Sequence, residues 1–258
     1  MIASFGTALL LPMFDTPSEF EDETNRWFDY DHVPERLSCP GILSCERFVL
    51  QDIEPFGWNP AYRWTKYVNF YDLESTEVLT SPAYRAQRDM YKGRGSAWRQ
   101  ECEARTATAG RPSPSRVIRS AWNEMPGMVE SRTSGVSQPN PRTLLLTFWD
   151  AADENPRVDI AAWLDEQYMS ELACLPGIRS CQRYERDFHA TGERADDARF
   201  SARFLDVVEL SSPEVATSPP YRQWTGSLDG EGRVLSAHRR IIAMGVYLQR
   251  PSPWIASI

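Results

Sequence analysis

Three histidines, His32, His189 and His238, are the side chains of this sequence that ordinarily titrate near neutral pH. No two of them are four residues apart, the spacing at which one helix face presents two ligands to a metal ion. The sequence also lacks the glycine-rich loops that bind nucleotide phosphates and the Gly-x-Ser-x-Gly turn of many serine hydrolases. These residues therefore favour general acid/base chemistry without a metal ion or another cofactor.

His32 is the first candidate for the acid or base. It follows Phe28, a core-type position, by one helical turn, so we expect the imidazole near the inward face of a helix. Asp29 precedes it by three residues and could orient the ring by hydrogen bonding. The alternative is that His32 and Pro34 only shape the end of the helix.

Two tyrosines, Tyr84 and Tyr221, each follow a Ser-Pro pair that is typical of a helix N-cap and first helical position. A phenol at such a place could donate a hydrogen bond to a developing oxyanion, which makes Tyr84 a second catalytic candidate and Tyr221 a substrate-binding one. The occurrence of both tyrosines in the same context equally fits a structural role.

The segments that contain Tyr84 and Tyr221 belong to an internal repeat of the sequence. Residues 27–42 align without a gap with residues 163–178, which lie 136 positions further on, and residues 77–85 align with residues 214–222, which lie 137 positions further on. We also overlay Thr7 to Leu11 on Thr143 to Thr147, again 136 positions apart, so that each copy begins with a strand.

Each copy predicts the element order β-α-β-β-α-β. We expect strands at 4–14, 42–50, 63–72 and 115–123 with helices at 18–38 and 81–104, and in the second copy strands at 142–150, 178–187, 199–209 and 240–249 with helices at 157–174 and 218–228. Residues 126–141 are rich in turn formers and predict a linker between units 1–125 and 142–258. The predicted fold class is therefore α+β, with two tandem ferredoxin-like units whose antiparallel sheets pack together as a pseudo-dimeric α/β barrel.

Positions at which the two copies differ are candidates for a site confined to one copy. Tyr168 stands where the first copy has His32, and His238 aligns with Trp98 ahead of the last strand. We therefore predict His238 as a further catalytic residue and Trp98 and Tyr168 as substrate contacts. Sequence drift would produce the same differences.

Arg47 and Arg183 alternate with cysteines along the predicted second strands, so we expect both guanidinium groups on the inner face of the sheet. There they could bind a substrate carboxylate bidentately, or else form structural ion pairs. Trp27 is the first of nine tryptophans in the chain, and several of them could line a pocket for a flat, partly apolar ligand. Most aromatic side chains in a barrel nevertheless belong to the core.

The segment Trp-x-Asp-x-x-His-x-Pro-Glu-Arg-Leu that starts at Trp27, followed by Pro40-Gly41 and by Ser-Pro-x-Tyr-Arg from Ser81, resembles the EthD-like branch of the dimeric α/β barrel superfamily. The resemblance covers most of both copies and implies a covalently joined version of a dimer. It also implies diverse, mostly cofactor-free chemistry on small aromatic, polyketide or ring-fission compounds. The second copy departs from the pattern at Tyr168 and Ser170.

The composition indicates which binding partners and which cellular compartment to expect. A formal net charge of −8 without a Lys/Arg cluster disfavours a general nucleic-acid-binding protein, and the longest apolar run, Ala8 to Leu11, is too short to span a membrane. The N-terminus lacks the features of a secretory signal, and five cysteines without a CxxC pair fit buried packing residues of a cytoplasmic protein. We expect a small-molecule substrate and either a monomeric pseudo-dimer or a homodimer.

The preferred hypothesis is a cofactor-independent acid/base enzyme, an isomerase, lyase, cyclase or ester hydrolase, that acts on a small aromatic-derived or unsaturated carboxylate. His32 would be the acid or base, assisted by Tyr84 or His238. One alternative is a non-catalytic small-molecule-binding or accessory protein. Another is a cofactor-free or haem-dependent monooxygenase of the same superfamily.

Overall fold

The computed structural model describes residues 6–55, 61, 63, 65–93, 115–127, 129–130, 141–151, 168–190, 200–224 and 239–251. The strands in these ranges are β1 (Ala8–Asp15), β2 (Ile42–Leu50), β3 (Tyr67–Leu73), β4 (Ser115–Glu124), β5 (Val129–Glu130), β6 (Thr143–Ala151), β7 (Ile178–Asp187), β8 (Phe204–Leu210) and β9 (Arg239–Gln249). The helices are α1 (Glu21–Trp27), a π-helical turn (Phe28–His32), α2 (Val33–Leu37), α3 (Pro82–Gly93) and α4 (Met169–Ala173), and residues 219–224 are also helical.

Eight of the described strands form a closed antiparallel barrel. The strand order is β4-β1-β3-β2-β9-β6-β8-β7, and a further pairing of β4 with β7 closes the ring. The order β4-β1-β3-β2 in the first half of the chain recurs as β9-β6-β8-β7 in the second half. The two halves therefore meet at two seams, β2 with β9 and β4 with β7.

The predicted strands agree with the observed ones to within five residues. β2 and β7 have the predicted bounds, whereas β3 and β8 begin at Tyr67 and Phe204, later than expected. Both late starts coincide with the end of the neighbouring strand, since Tyr67 faces Phe14 near the end of β1 and Phe204 faces Trp149 near the end of β6. The predicted linker contains the short strand β5, which pairs with β7.

The overlay of Thr7 to Leu11 on Thr143 to Thr147 is wrong by one residue. Ala8 faces Leu73 in β3, and Thr143 faces the equivalent Leu210 in β8, which gives a spacing of 135 instead of 136. A slip of one residue moves every side chain of a strand to the other face of the sheet. Both strands are almost continuously apolar, so their sequences do not show which face is which.

The described residues form three hydrophobic clusters. The first lies inside the barrel and joins both halves through residues such as Trp122, Phe148 and Phe200, whose rings pack at centroid distances of 5.8 and 5.2 Å. The other two clusters lie on the outer face of the barrel, one under the helices of each half. The barrel interior is therefore a packed core, and the layers between sheet and helices are the places where the two halves can differ.

The first predicted helix, 18–38, is interrupted by a π-helical turn. Glu21–Trp27 and Val33–Leu37 are α-helical, and Phe28–His32 between them is wound as a π-helix. Tyr168, the counterpart of His32, also has π-helical conformation. Such turns are rare and frequently lie at functional sites.

A glycine ends this helical region in each half. Gly41 and Gly177 have φ values of +87° and +89°, and a Cβ at either position would meet a valine methyl group at 2.5 or 2.6 Å. Only glycine adopts this backbone conformation so close to a neighbour at little cost. The repeated Pro-Gly pair therefore sets the direction in which the chain enters β2 and β7. No helix in the described ranges is long and apolar enough to cross a membrane.

Candidate functional site

The predicted site residues that belong to the described part of the chain lie in the layers between the sheet and the helices. Two further predicted site residues, Trp98 and His238, lie outside the described residues. The other eight divide between the first-half layer, which contains Trp27, Asp29, His32, Arg47 and Tyr84, and the second-half layer, which contains Tyr168, Arg183 and Tyr221.

Aromatic packing holds the imidazole of His32. Its ring lies 4.5 Å from that of Trp27, tilted by 31°, and 5.3 Å from that of Phe28, to which it is perpendicular. Phe28 is buried, whereas Trp27 and His32 are half-buried. The structure therefore brings Trp27 and His32 together in the half-buried part of the layer.

Arg47 points from β2 towards the helices, which corrects its predicted place on the inner face of the sheet. Its side chain is fully buried over the ring of Phe28, with the guanidinium carbon 4.7 Å from the ring centroid. The guanidinium donates to Asp29 and, at 2.7 Å, to the side-chain oxygen of Asn25. Burial lowers the pKa of Arg47, and the carboxylate of Asp29 opposes this effect. Arg47 therefore binds a carboxylate of the chain itself, and its predicted contact with a substrate stays a prediction.

Asp29 has two arginine partners. One oxygen accepts from Arg47, and the other accepts from Nη2 of Arg250 at 3.2 Å. Arg250 comes from the second half, just after β9, and its backbone N–H donates to the carbonyl of Arg47 at 2.7 Å. Asp29 thus ties the π-turn to both halves of the barrel, and its predicted role in orienting His32 stays a prediction.

Tyr84 begins α3 as predicted. Its backbone N–H donates to the hydroxyl of Ser81 at 3.2 Å, which confirms the N-cap. The Tyr84 side chain is buried, its hydroxyl accepts a hydrogen bond from Arg119 of β4, and the guanidinium of Arg36 lies 5.2 Å from its ring centroid. Sequence reasoning missed Arg36 and Arg119. Arg36 was visible within the Pro-Glu-Arg-Leu motif, but nothing in the sequence connects Arg119 with Tyr84.

The equivalent layer of the second half is more aromatic. Tyr168 packs against Trp224 at 4.9 Å, and Trp224 lies 6.3 Å from the buried Tyr221. Arg183, like Arg47, points towards the helices and not into the barrel, and its Nε donates to Asp206 of β8 at 2.7 Å. Its predicted role in substrate binding also stays a prediction.

Matching the halves position by position shows where their chemistry differs. His32 corresponds to Tyr168 at a spacing of 136, and Gln87 corresponds to Trp224 at a spacing of 137. The second half thus has two large rings in contact where the first half has an imidazole and an amide. At these two positions the first half is the more polar of the two layers, which makes it the better candidate for chemistry.

Four of the five cysteines lie in the described residues, and they differ in burial. Cys39, Cys45 and Cys181 are buried and Cys174 is exposed. Burial raises the pKa of Cys45 and Cys181 far above the usual thiol range, so both are packing residues as predicted. The exposed Cys174 does not fit that prediction, and Cys102 lies outside the described residues. In the part of the chain that the structure describes, no three His, Cys, Asp or Glu side chains lie together as metal ligands would.

The sequence matches no protein-family model, and no curated protein is significantly similar to it. Solved structures do resemble the fold. An anthrone oxidase-like protein is 15% identical with a TM-score of 0.56, over 97% of this chain and 94% of that one. The encapsulated DyP-type peroxidase from Mycobacterium smegmatis is 9% identical with a TM-score of 0.55, over 100% of this chain and 96% of that one.

A chlorite dismutase-like protein is 12% identical with a TM-score of 0.51, over 96% of each chain. These neighbours are dimeric α+β barrel proteins. Membership of the EthD-like branch stays a prediction. At such low identity the similarity concerns the backbone arrangement, and the chain accordingly has the fold of the dimeric α+β barrel proteins.

Proposed function

We propose that this chain is an enzyme that acts by general acid/base catalysis on a small, flat, aromatic-derived or unsaturated carboxylate. The site would be the layer between sheet and helices in the first half. One observation carries the proposal: the first half has His32 and Gln87 at the positions where Tyr168 and Trp224 pack together in the second half.

The presence of His32 and Gln87 in place of the Tyr168–Trp224 pair affects which ligands the first-half layer can bind. An imidazole and an amide are smaller than a phenol and an indole. The Gln87 amide donates to the carbonyl oxygen of Glu35 at 2.9 Å, so the His32 imidazole is the group that would serve a ligand as hydrogen-bond donor or acceptor. Trp27 beside His32 supplies a flat apolar surface on which an aromatic ring can stack. A titratable group next to an aromatic surface suits a planar substrate with an acidic proton.

The reaction would begin when neutral His32 removes a proton from a carbon next to a carbonyl group of the substrate. The electron pair of the broken C–H bond passes to the carbonyl oxygen and gives an enolate. The imidazolium can return the proton at another carbon, which is an isomerisation, or donate it to a leaving group, which is a lyase step. Tyr84 would assist by donating a hydrogen bond to an anionic oxygen of the substrate.

A second candidate, a cofactor-free monooxygenase, begins with the same proton transfer. Similarity to the anthrone oxidase-like protein over nearly the whole of both chains favours it. An anthrone is a flat tricyclic ketone with an acidic CH₂ group, and its enolate can reduce O₂. The balanced reaction converts CH₂ and O₂ into C=O and H₂O.

Turnover of a panel of hydroxyanthrones and aromatic or dienoic carboxylates tests the proposal. We expect His32→Gln to lower kcat about a hundredfold or more, the usual contribution of a general base, while ligand-induced thermal stabilisation persists. His189→Gln is the matched control, because His189 is exposed in the second half. If His32→Gln turns over as fast as the wild type, the acid/base assignment fails.

Oxygen uptake separates the two candidates. Consumption of one O₂ per substrate supports the monooxygenase, and equal turnover without oxygen supports the isomerase or lyase. A Soret band in the purified protein would indicate the haem-dependent alternative. Ligand binding without any turnover would indicate a binding or accessory protein.

We also infer that the barrel is built from two tandem ferredoxin-like units, residues 1–125 and 142–258, with the second unit in the place of a dimer partner. The repeated strand order and the equivalent strand registers support this inference. Limited proteolysis within 126–141 tests it: the two fragments should stay together at the native mass of 29.5 kDa. Separation of the fragments without denaturant would contradict it.

A further inference from the structure

We propose that Arg36, Arg119 and Tyr84 form a binding site for the negatively charged oxygen of a planar aromatic ligand. This inference rests on the proposed function and deepens it, because it names the group by which the substrate is anchored. The charged oxygen can belong to a carboxylate or to a phenolate.

Three polar side chains from different elements converge at this place. Arg36 comes from α2, Tyr84 from α3 and Arg119 from β4, and their polar ends meet in one layer. Arg119 donates to the Tyr84 hydroxyl oxygen, and the Arg36 guanidinium lies 5.2 Å from the Tyr84 ring centroid. A phenol that accepts a hydrogen bond keeps its own O–H as a donor, so all three side chains can donate to an anion.

The equivalent place in the second half has different residues. Tyr84 corresponds to Tyr221, and Arg36 corresponds to Leu172. Arg119 faces Pro12 of β1, and the equivalent residue of β9, Met244, faces Thr147 of β6.

Tyr221, Leu172 and Met244 are buried in one hydrophobic cluster. The equivalent tyrosine of the second half thus shares its cluster with apolar side chains at the positions of both arginines. The barrel therefore does not require two arginines at this place.

Arg36 is only 7% exposed, and its guanidinium donates to Oε1 of Gln87 at 3.5 Å and lies over the ring of Tyr84. An additional anion would stabilise this buried cation. Burial lowers the pKa of Arg36, and the nearby charge of Arg119 lowers it further. An anionic ligand between the two guanidinium groups would relieve their repulsion. Arg119 is partly exposed, which leaves a side from which a ligand can approach.

The place of this cluster fits the proposed chemistry. Arg36 follows His32 by four residues, and side chains at this spacing on a helix are neighbours, with Cβ atoms about 6 Å apart. An anion held by Arg36 and Arg119 would therefore set the rest of a planar molecule beside His32 and Trp27. The guanidinium pair would select the ligand, and the imidazole would act on it.

The test measures binding of three probes to the full-length protein by tryptophan fluorescence quenching. Anthraquinone-2-carboxylate carries a carboxylate, 2-hydroxyanthraquinone at alkaline pH carries a phenolate, and anthraquinone-2-carboxamide is neutral. We expect at least one anion to bind the wild type about tenfold or more tightly than the amide, the strength of a charge-assisted hydrogen bond. The anion that is preferred identifies the source of the charged oxygen.

The variants Arg36→Leu and Arg119→Met introduce apolar residues like those that the second half already accommodates. Each should weaken anion binding about tenfold to a hundredfold and leave amide binding unchanged. Arg119→Lys keeps the charge and should retain part of the preference, which guards against misfolding of the apolar variants. Arg203→Met, at an exposed arginine of the second half, is the matched control.

Equal affinity of the wild type for the anions and the amide would overturn this proposal, as would variants that bind the anions normally. Either result would leave the effect of His32→Gln on turnover untouched. Conversely, an active His32→Gln enzyme that still prefers anions would contradict the proposed chemistry and leave the anion site standing.

Discussion

Arg47 and Asp29 form a buried ion pair that joins strand β2 to the π-helical turn ending at His32. Their side chains are 0% and 10% exposed, and the pair lies 18 residues apart in the chain. In the second half, Arg183 binds Asp206, which comes from the adjacent strand β8. The first-half pair thus holds a helical segment against the sheet, whereas the Arg183–Asp206 pair joins two strands.

Removal of the Asp29 carboxylate should destabilise the protein strongly. Asp29→Asn leaves the buried charge of Arg47 without its counter-ion, and breaking a buried pair in this way typically costs about 3–5 kcal/mol of the free energy of unfolding. Urea unfolding measures this loss. Glu185→Gln, which breaks the exposed pair with Arg203, is the control and should change stability by less than about 1 kcal/mol. Similar losses in both variants would show that the buried Arg47–Asp29 pair stabilises the protein no more than an exposed ion pair does.

A second buried arginine, Arg142, should stabilise the seam between the halves. It pairs with Glu46 of β2 and, at 3.0 Å, with Glu209 of β8, which is fully buried. Arg142→Met leaves Glu209 buried without this counter-ion, so we expect a loss of about 3–5 kcal/mol in the free energy of unfolding. Arg142→Met combined with Glu209→Met should recover part of this loss, and a double variant less stable than the single one would contradict the interpretation.

Alkylation should distinguish the cysteines in the native state. Burial raises the pKa of Cys45 and Cys181, and only the thiolate reacts with iodoacetamide. Cys174 is exposed, so at neutral pH we expect it to be labelled well before both buried thiols. Peptide mass spectrometry after timed labelling measures the order. Labelling of Cys45 or Cys181 at the rate of Cys174 would place them outside the core.

Asp187 should make stability depend on pH in the acid range. Partial burial raises its pKa, but hydrogen bonds from Thr76 and from the backbone N–H groups of His189 and Ala190 outweigh burial, so the net pKa is lowered. A carboxyl whose pKa is lower in the folded protein contributes stability above its ordinary pKa, and this contribution is lost as the pH falls through the lowered value.

Asp187→Asn should therefore be less stable than the wild type at pH 7, and the difference should shrink towards pH 3. Urea midpoints measured across that range test the prediction. A gap that stays constant with pH would mean that the charge of Asp187 contributes nothing.

The amino-acid sequence alone predicts much of the framework. The repeated Trp27 and Trp163 segments, the Ser81 N-cap and the Pro-Gly pair at Gly41 are local or periodic features, and the structure confirms the cap where predicted. The sequence also shows which copy carries the histidine, because aligning two copies needs no knowledge of the fold. Secondary structure and repeats are predictable because turn chemistry and hydrophobic periodicity act over a few residues.

Only the tertiary structure decides which distant residues meet. Arg119 of β4 reaches Tyr84 of α3 across 35 residues of chain, and Arg250 reaches Asp29 because β9 pairs with β2. The face of each strand is also decided there, since a shift of one residue in an unbroken apolar run leaves the sequence pattern unchanged but reverses every side chain. Partners of buried charges are set by strand register and by layer packing, and neither of these is a local property of the chain.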